Sequence, residues 1–300
     1  MVVLSLVTTW WFFFLPLVRS QSCNQTNKQK AVYAQPIWDV AGNLGAFEVV
    51  NDVIWGNLDG LRLYGKNGIY AATTVAFNEG SPTGYYGVQA TGGGDTDHEQ
   101  VLFSLWDKGD NLALPMSDTC KRNCNDCSDP SLTTGSQCKI FIPANSNESH
   151  RLTIRRTASN ESSSYNGTVY FGDVFEVTVD DVSVGKLLVA NSFDSGVSRI
   201  SFFNEHIGCV PCEAFDIDES RRGPWAFAEN GETISLVNVT SSYDCPECTC
   251  KKHTIEKSSS GTMTFTFSSG PSTEPHEDWS DKVIVNCSED SCEYSGGDKI

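Results

Sequence analysis

Positive charge is scarce in this chain: 21 lysines and arginines stand against 38 aspartates and glutamates, a net charge of −17 over 300 residues. A surface of that sign repels a phosphate backbone at long range, which excludes nucleic acid as a partner class. Beyond the first twenty residues there is no apolar run long enough for a bilayer, so no membrane span is expected after the leader. A helical stripe is missing from every ten-residue window, which removes alternating βαβ architectures. No Gly-x-Ser-x-Gly elbow occurs, and five histidines leave few triads to assemble. Disorder is excluded in turn, because 39% hydrophobic and 11% aromatic residues are enough to build a core.

What is present begins with an apolar leader. Val2 to Val18, containing Trp10, Trp11, Phe12, Phe13 and Phe14, run into Arg19, Ser20, Gln21 and Ser22, and Val18 and Ser20 suit a peptidase cutting after Ser20. The expectation is a signal peptide over residues 1–20 and a secreted, extracellular product; an uncleaved signal anchor is the alternative. Six Asn-x-Ser/Thr sequons, at Asn24, Asn147, Asn160, Asn166, Asn238 and Asn286, agree with export. Three of them fall between Asn147 and Thr168, in a Ser/Asn-rich stretch that reads as a loop. The polar tail from Ser288 to Ile300 has no hydrophobic stretch to become a lipid anchor.

Twelve cysteines follow the leader: Cys23, Cys120, Cys124, Cys127, Cys138, Cys209, Cys212, Cys245, Cys248, Cys250, Cys287 and Cys292. In an oxidising compartment an even number reads as six disulfides. Cys124/Cys127, Cys209/Cys212 and Cys245/Cys248 also have the spacing of zinc knuckles, but export and the lack of a suitably spaced histidine favour disulfides. The expected grouping is a local knot within Cys120 to Cys138, another within Cys245 to Cys292, and Cys209 or Cys212 tying a strand end to one of them.

Hydrophobicity alternates with period two. Leu152 and Ile154, then Phe175, Val177 and Val179, then Met263, Phe265 and Phe267 each interleave with polar residues, as half-buried strands do. Further strands are expected at Tyr33 to Val40, Phe47 to Trp55, Ile69 to Phe77, Tyr85 to Ala90, Val101 to Trp106, Ile140 to Ile142, Val169 to Phe171, Leu187 to Ala190, Ile200 to Phe203, Ile234 to Val239 and Val283 to Asn286. Turn chemistry separates them, with Asn230-Gly231 the expected hairpin turn. Many strands without intervening helices imply an all-β fold, an antiparallel β-sandwich or jelly roll over about 23–240. Residues 241–300, richer in cysteine, serine and acid, either add edge strands or form a small stapled appendix.

Gly84 to Gln89 read Gly-Tyr-Tyr-Gly-Val-Gln, and Val101 to Asp107 read Val-Leu-Phe-Ser-Leu-Trp-Asp. Together with Phe203-Asn204-Glu205-His206-Ile207-Gly208-Cys209 and Arg221-Arg222-Gly223-Pro224-Trp225, this pair resembles the secreted family catalogued as domain of unknown function 3472, over roughly residues 30–240. The resemblance implies a lectin-like β-sandwich and carries over neither an activity nor catalytic residues.

The same block has a physical reading of its own. With Tyr86, Val88, Leu102 and Leu105 supplying core, Tyr85, Gln89, Ser104 and Trp106 face a groove; a slip of one residue exchanges the two faces. An aromatic ring beside amide and carboxylate groups is suited to a sugar, so Tyr85, Gln89, Trp106 and Asp107 form the candidate glycan site, an extracellular glycan or glycoprotein being the partner. The competing reading makes the aromatics sandwich core and Asp107 a turn cap. Asp95, Asp97 and Glu99 alternate beside His98, a spacing that suits calcium and equally a solvated acidic turn. An enzyme reading as a carbohydrate-active hydrolase or lyase rests on Glu213, Asp216, Asp218 and Glu219. The segment resembles the acidic strand of laminarinase-type jelly rolls, but Ala214 stands where the nucleophilic glutamate belongs. Glu205 and His206 are neighbours on a strand and point to opposite faces, which leaves them badly placed to act together. A matrix protein with dispersed acids and no pocket is the third class.

Overall fold

A computed structural model describes residues 33–41, 45–56, 68–77, 81–91, 98–124, 134–143, 149–207, 217–244, 252–257, 263–269, 282–287 and 292–296. The strands are β1 (Tyr33–Val40), β2 (Glu48–Trp55), β3 (Gly68–Ala76), β4 (Thr83–Thr91), β5 (His98–Trp106), β6 (Ala113–Pro115), β7 (Cys120–Cys124), β8 (Thr134–Pro143), β9 (Ser149–Tyr165) and β10 (Thr168–Val179). They continue as β11 (Val182–Ala190), β12 (Arg199–Ile207), β13 (Ile217–Phe227), β14 (Thr233–Ile234), β15 (Leu236–Asp244), β16 (Lys252–Lys257), β17 (Met263–Ser269), β18 (Lys282–Cys287) and β19 (Cys292–Gly296). Among the described residues there is no helix, and none long and apolar enough to cross a membrane. The all-β expectation is met.

Two antiparallel sheets form a β-sandwich. Ten strands run in the order β19-β18-β15-β1-β12-β3-β4-β5-β8-β7, and the second sheet runs β16-β17-β13-β2-β9-β10-β11-β6, with β14 hydrogen-bonded beside β13. β16 and β17 extend one sheet and β18 and β19 the other, so the C-terminal stretch contributes edge strands to both. A boundary at 240 falls inside β15.

Alternation explains which side chains meet between the sheets. Val101, Phe103 and Leu105 of β5 and Tyr86 and Val88 of β4 join Val49, Val53, Leu152, Ile154, Phe175 and Val177 from the other sheet in one buried cluster. Burying each such side chain stabilises the fold by about 1.5–3 kcal/mol relative to exposure. Leu102 departs from its expected place. Between inward Val101 and Phe103 it must point outward, and it packs with Tyr70, Ala72, Phe203 and Tyr85 on the other side of the sheet.

β4 and β5 pair directly across the glycine-rich connection, Tyr85 opposite Ser104 and Thr83 opposite Trp106. The expected turn at Asn230-Gly231 is present: Gly231 has φ +82, and the Asn230 side chain accepts the Glu232 amide at 3.0 Å. The Ser/Asn-rich stretch read as a loop is instead strand. β9 continues to Tyr165 and turns at Asn166 and Gly167, with φ of 49 and 80, into β10. Two positive φ values in succession are what a tight hairpin with right-handed strand twist requires. Asn160 and Asn166 are exposed on this hairpin; Asn24 and Asn147 lie outside the described residues, as do the side chains of Asn238 and Asn286.

Cys120 and Cys138, opposite one another on β7 and β8, form a disulfide, within the first expected group. The side chains of the other ten cysteines lie outside the described residues, although Cys287 and Cys292 are backbone partners in the β18–β19 hairpin.

Candidate functional site

The outward face of the ten-stranded sheet follows from register alone. One row crosses it as Ser201, Thr74, Tyr85, Ser104, Gln137 and Lys121, on neighbouring strands. A parallel row places Tyr70, Gln89, Gln100 and Phe141 side by side. Trp106 sits two residues beyond Ser104 on the same face.

Aromatic rings on this face lean on one another edge to face. Tyr85 lies 5.5 Å from Tyr70, 5.8 Å from Phe203 and 6.3 Å from Trp106, centroid to centroid. Tyr70 and Phe203 are buried, whereas Tyr85 and Trp106 are half-buried. The first pair therefore acts as a floor, and the second presents ring surface to solvent. Amides and a hydroxyl accompany them: Gln100 donates to Gln89 at 3.4 Å, and Gln137 donates to the Ser104 hydroxyl at 3.0 Å. Of the four candidate glycan-site residues, Tyr85, Gln89 and Trp106 thus share one face.

Asp107 is committed elsewhere. One carboxylate oxygen accepts the Ala113 amide at 2.9 Å and Arg122 Nη1 at 2.8 Å, and the other accepts Arg122 Nη2 and the Thr134 hydroxyl. With both oxygens engaged twice, the group clamps the end of β5 to β7, and the turn-cap alternative describes it better than a sugar contact does. Arg122 also stacks on Tyr165 at 4.9 Å, which fastens the tip of the β9–β10 hairpin.

Asp95 and Asp97 lie outside the described residues. Glu99, their expected companion in a calcium site, points into the sandwich and is 2% exposed. It accepts the Trp55 indole N–H at 3.3 Å, and His150 Nε2 stands 3.3 Å from the same oxygen, within ion-pair range but without hydrogen-bond alignment. The other ring nitrogen, Nδ1, contacts Asp180 at 2.8 Å. Burial works against a charged imidazole, but the nearby carboxylates of Glu99 and Asp180 outweigh it and raise the His150 pKa to about 9. Trp55, Glu99 and His150 belong to both sheets, so this cationic histidine ties them together rather than serving as a base near neutrality. Among the described residues no group of three or more histidine, cysteine or acidic side chains is arranged to hold a metal ion.

Arg221 is a further residue whose place the sequence did not disclose. Fully buried on β13, it donates to the carbonyl oxygens of Ala72 and Phe203 and to the Asn204 side chain across the sandwich, beneath the floor of the aromatic face. Nearby, Thr73 and Tyr86 both donate to Asn51 Oδ1 at 3.1 Å. These bonds fix β3, β4 and β12 against the second sheet. Of the residues behind the enzyme reading, Glu213 and Asp216 lie outside the described residues, as do the side chains of Glu205, His206, Asp218 and Glu219.

The outer face of the nine-stranded sheet has a different chemistry. Arg151 pairs with Asp52 at 2.9 Å, Lys186 with Glu176 at 3.6 Å and Arg155 with Glu48 at 3.9 Å, each between directly opposed strand positions. No protein-family model matches the chain, and no curated protein matches it.

Proposed function

We propose that this protein is an extracellular carbohydrate-binding module: a secreted, N-glycosylated, lectin-like sandwich that holds glycans on the outer face of its ten-stranded sheet. The observation that carries the reading is the pair of half-buried rings, Tyr85 and Trp106, 6.3 Å apart on a face otherwise furnished with amides and hydroxyls. Ring surface covers the apolar side of a pyranose, and the groups of Gln89, Gln100, Ser104 and Gln137 answer its hydroxyls with both donors and acceptors. Exposure of Asn160 and Asn166 on a hairpin suits glycosylation during export.

A glycan array on the secreted, oxidised protein, with and without calcium, tests the reading. Trp106→Ala is expected to abolish binding to a weakly held sugar, since an aromatic anchor at a binding site contributes about 2 kcal/mol or more. Melting temperature should change little, because the ring lies outside the inter-sheet core. A variant that melts with the wild type and keeps full affinity would remove Trp106 from the site, and an array with no glycan bound would end the carbohydrate reading.

A further inference from the structure

Cations are few in this chain, and most of the described ones are used internally. Arg122, Arg151, Arg155, Arg156, Lys186 and Arg199 each stand within 4.0 Å of a carboxylate. Arg221 is buried on carbonyl groups. Four described side chains remain without a carboxylate in range: Lys108, Lys121, Lys139 and Arg222. Two of these four share one place. Lys121 and Lys139 lie exposed on β7 and β8, diagonal neighbours on the same face, whereas Lys108 follows Asp107 beyond the far end of β5.

That place borders the aromatic face. Lys121 is the register partner of Gln137, Gln137 of Ser104, and Ser104 of Tyr85; Lys139 stands opposite Leu102, with its ammonium 5.0 Å from the ring of exposed Phe141. At about 4.8 Å per strand, Lys121 lies roughly 14 Å from Tyr85 at the backbone and Lys139 nearer still, a span that a short oligosaccharide covers. The Asp39 carboxylate at one margin of the face is held by Arg199, and Asp107, committed away from the face at the end of β5, is held by Arg122. In a protein of net charge −17, two lysines without a carboxylate in range, side by side next to half-buried rings, offer positive charge where a ligand on those rings meets it.

We infer that the ligand of this face is an anionic glycan, one bearing carboxylate or sulfate groups, with its rings on Trp106 and Tyr85 and its acid groups on Lys121 and Lys139. The inference rests on the carbohydrate reading and adds to it the sign of the ligand. Complementary charge at an exposed rim selects partners and speeds encounter, and it is screened by salt.

The test compares a polyuronate oligosaccharide with its carboxyl-reduced, neutral counterpart by calorimetry on the oxidised full chain, at low and high salt. The acidic form should bind about tenfold more tightly at low salt, with the advantage shrinking as salt rises. Lys121→Glu and Lys139→Glu should each erase most of that advantage while leaving the neutral form unaffected. Arg222→Glu makes the same charge change on the other sheet and should leave both ligands as they were. Equal affinity for the two forms, or an equal loss in Arg222→Glu, would overturn the inference. If the neutral sugar then still binds and loses its affinity in Trp106→Ala, the carbohydrate reading survives without the charge. If neither form binds, and no sulfated oligosaccharide does, both readings fall.

Discussion

On the outer face of the nine-stranded sheet, acids and bases stand opposite one another, Glu48 against Arg155, Asp52 against Arg151 and Glu176 against Lys186. On the outer face of the ten-stranded sheet, the opposed positions hold Tyr85 and Ser104, Gln89 and Gln100, Thr83 and Trp106. Cross-strand ion pairs satisfy their own members, and the apolar side chains of the same face, Leu114, Val174, Leu188, Tyr165 and Tyr170, pack on one another. Rings and amides in the same geometry stay half-buried, with one side toward solvent, and Lys121 and Lys139 at the margin have no carboxylate in range. The difference separates a closed face from an open one within a single fold.

The largest test of that division concerns its border. Asp107→Ala should cost about 3–5 kcal/mol in denaturant unfolding, since it strands a half-buried Arg122 and leaves the Ala113 amide unpaired. If Asp107 belonged to the open face instead, the variant would keep its stability and lose ligand. Opening the Cys120–Cys138 bridge, by serine at both positions, should cost about 3 kcal/mol for a loop of 18 residues and weaken anionic glycan binding, because it loosens β7 beneath Lys121. Unchanged unfolding midpoints would show that β7 is held without it.

Inside the sandwich the comparison becomes one of pH. Folding raises the His150 pKa from 6.5 to about 9, so the native state holds this proton more tightly than the unfolded chain does. The resulting stabilisation is complete below pH 6.5 and is lost as pH rises through 9, a span worth up to about 3 kcal/mol. His150→Gln should flatten the stability profile over that window in equilibrium unfolding, whereas a profile as steep as wild type would assign the slope to another group. Smallest is the closed face itself: Asp52→Asn should cost about 1 kcal/mol or less, because Arg151 is exposed, and should leave glycan affinity untouched. A drop in affinity there would erase the distinction between the faces.

Several elements were legible in the sequence. Alternation located β1 at its full length and put Tyr85 and Trp106 on the side away from Tyr86 and Leu105. Leu102 was misplaced by its hydrophobicity, although period two had already assigned it outward. β13 is missing from the expected strands because Asp218, Glu219, Arg221 and Arg222 interrupt the period-two alternation, although the resemblance to an acidic strand touched its start. Arg221 is buried on carbonyl oxygens supplied by β3 and β12, and no local pattern announces partners 149 residues away. The far half of β9 was hidden by its serines and asparagines, which a projecting hairpin tolerates; Tyr165 and Tyr170, packed onto Leu114 and Val174, were the available signal. Asp107 reads identically as a sugar ligand or a clamp until Arg122 is seen beside it.

The position of β1 has a consequence for how the chain is made. It is the first described strand, yet its neighbours in the sheet are β12 and β15, and the contact between Asp39 and Arg199 spans 160 residues. During synthesis both its edges stay unpaired until most of the chain has emerged, so closure of the ten-stranded sheet is a late and slow event. Until then, a strand carrying Ile37, Trp38 and Val40 is open to mispairing with other chains, and expression hosts that lengthen that interval should yield more aggregate.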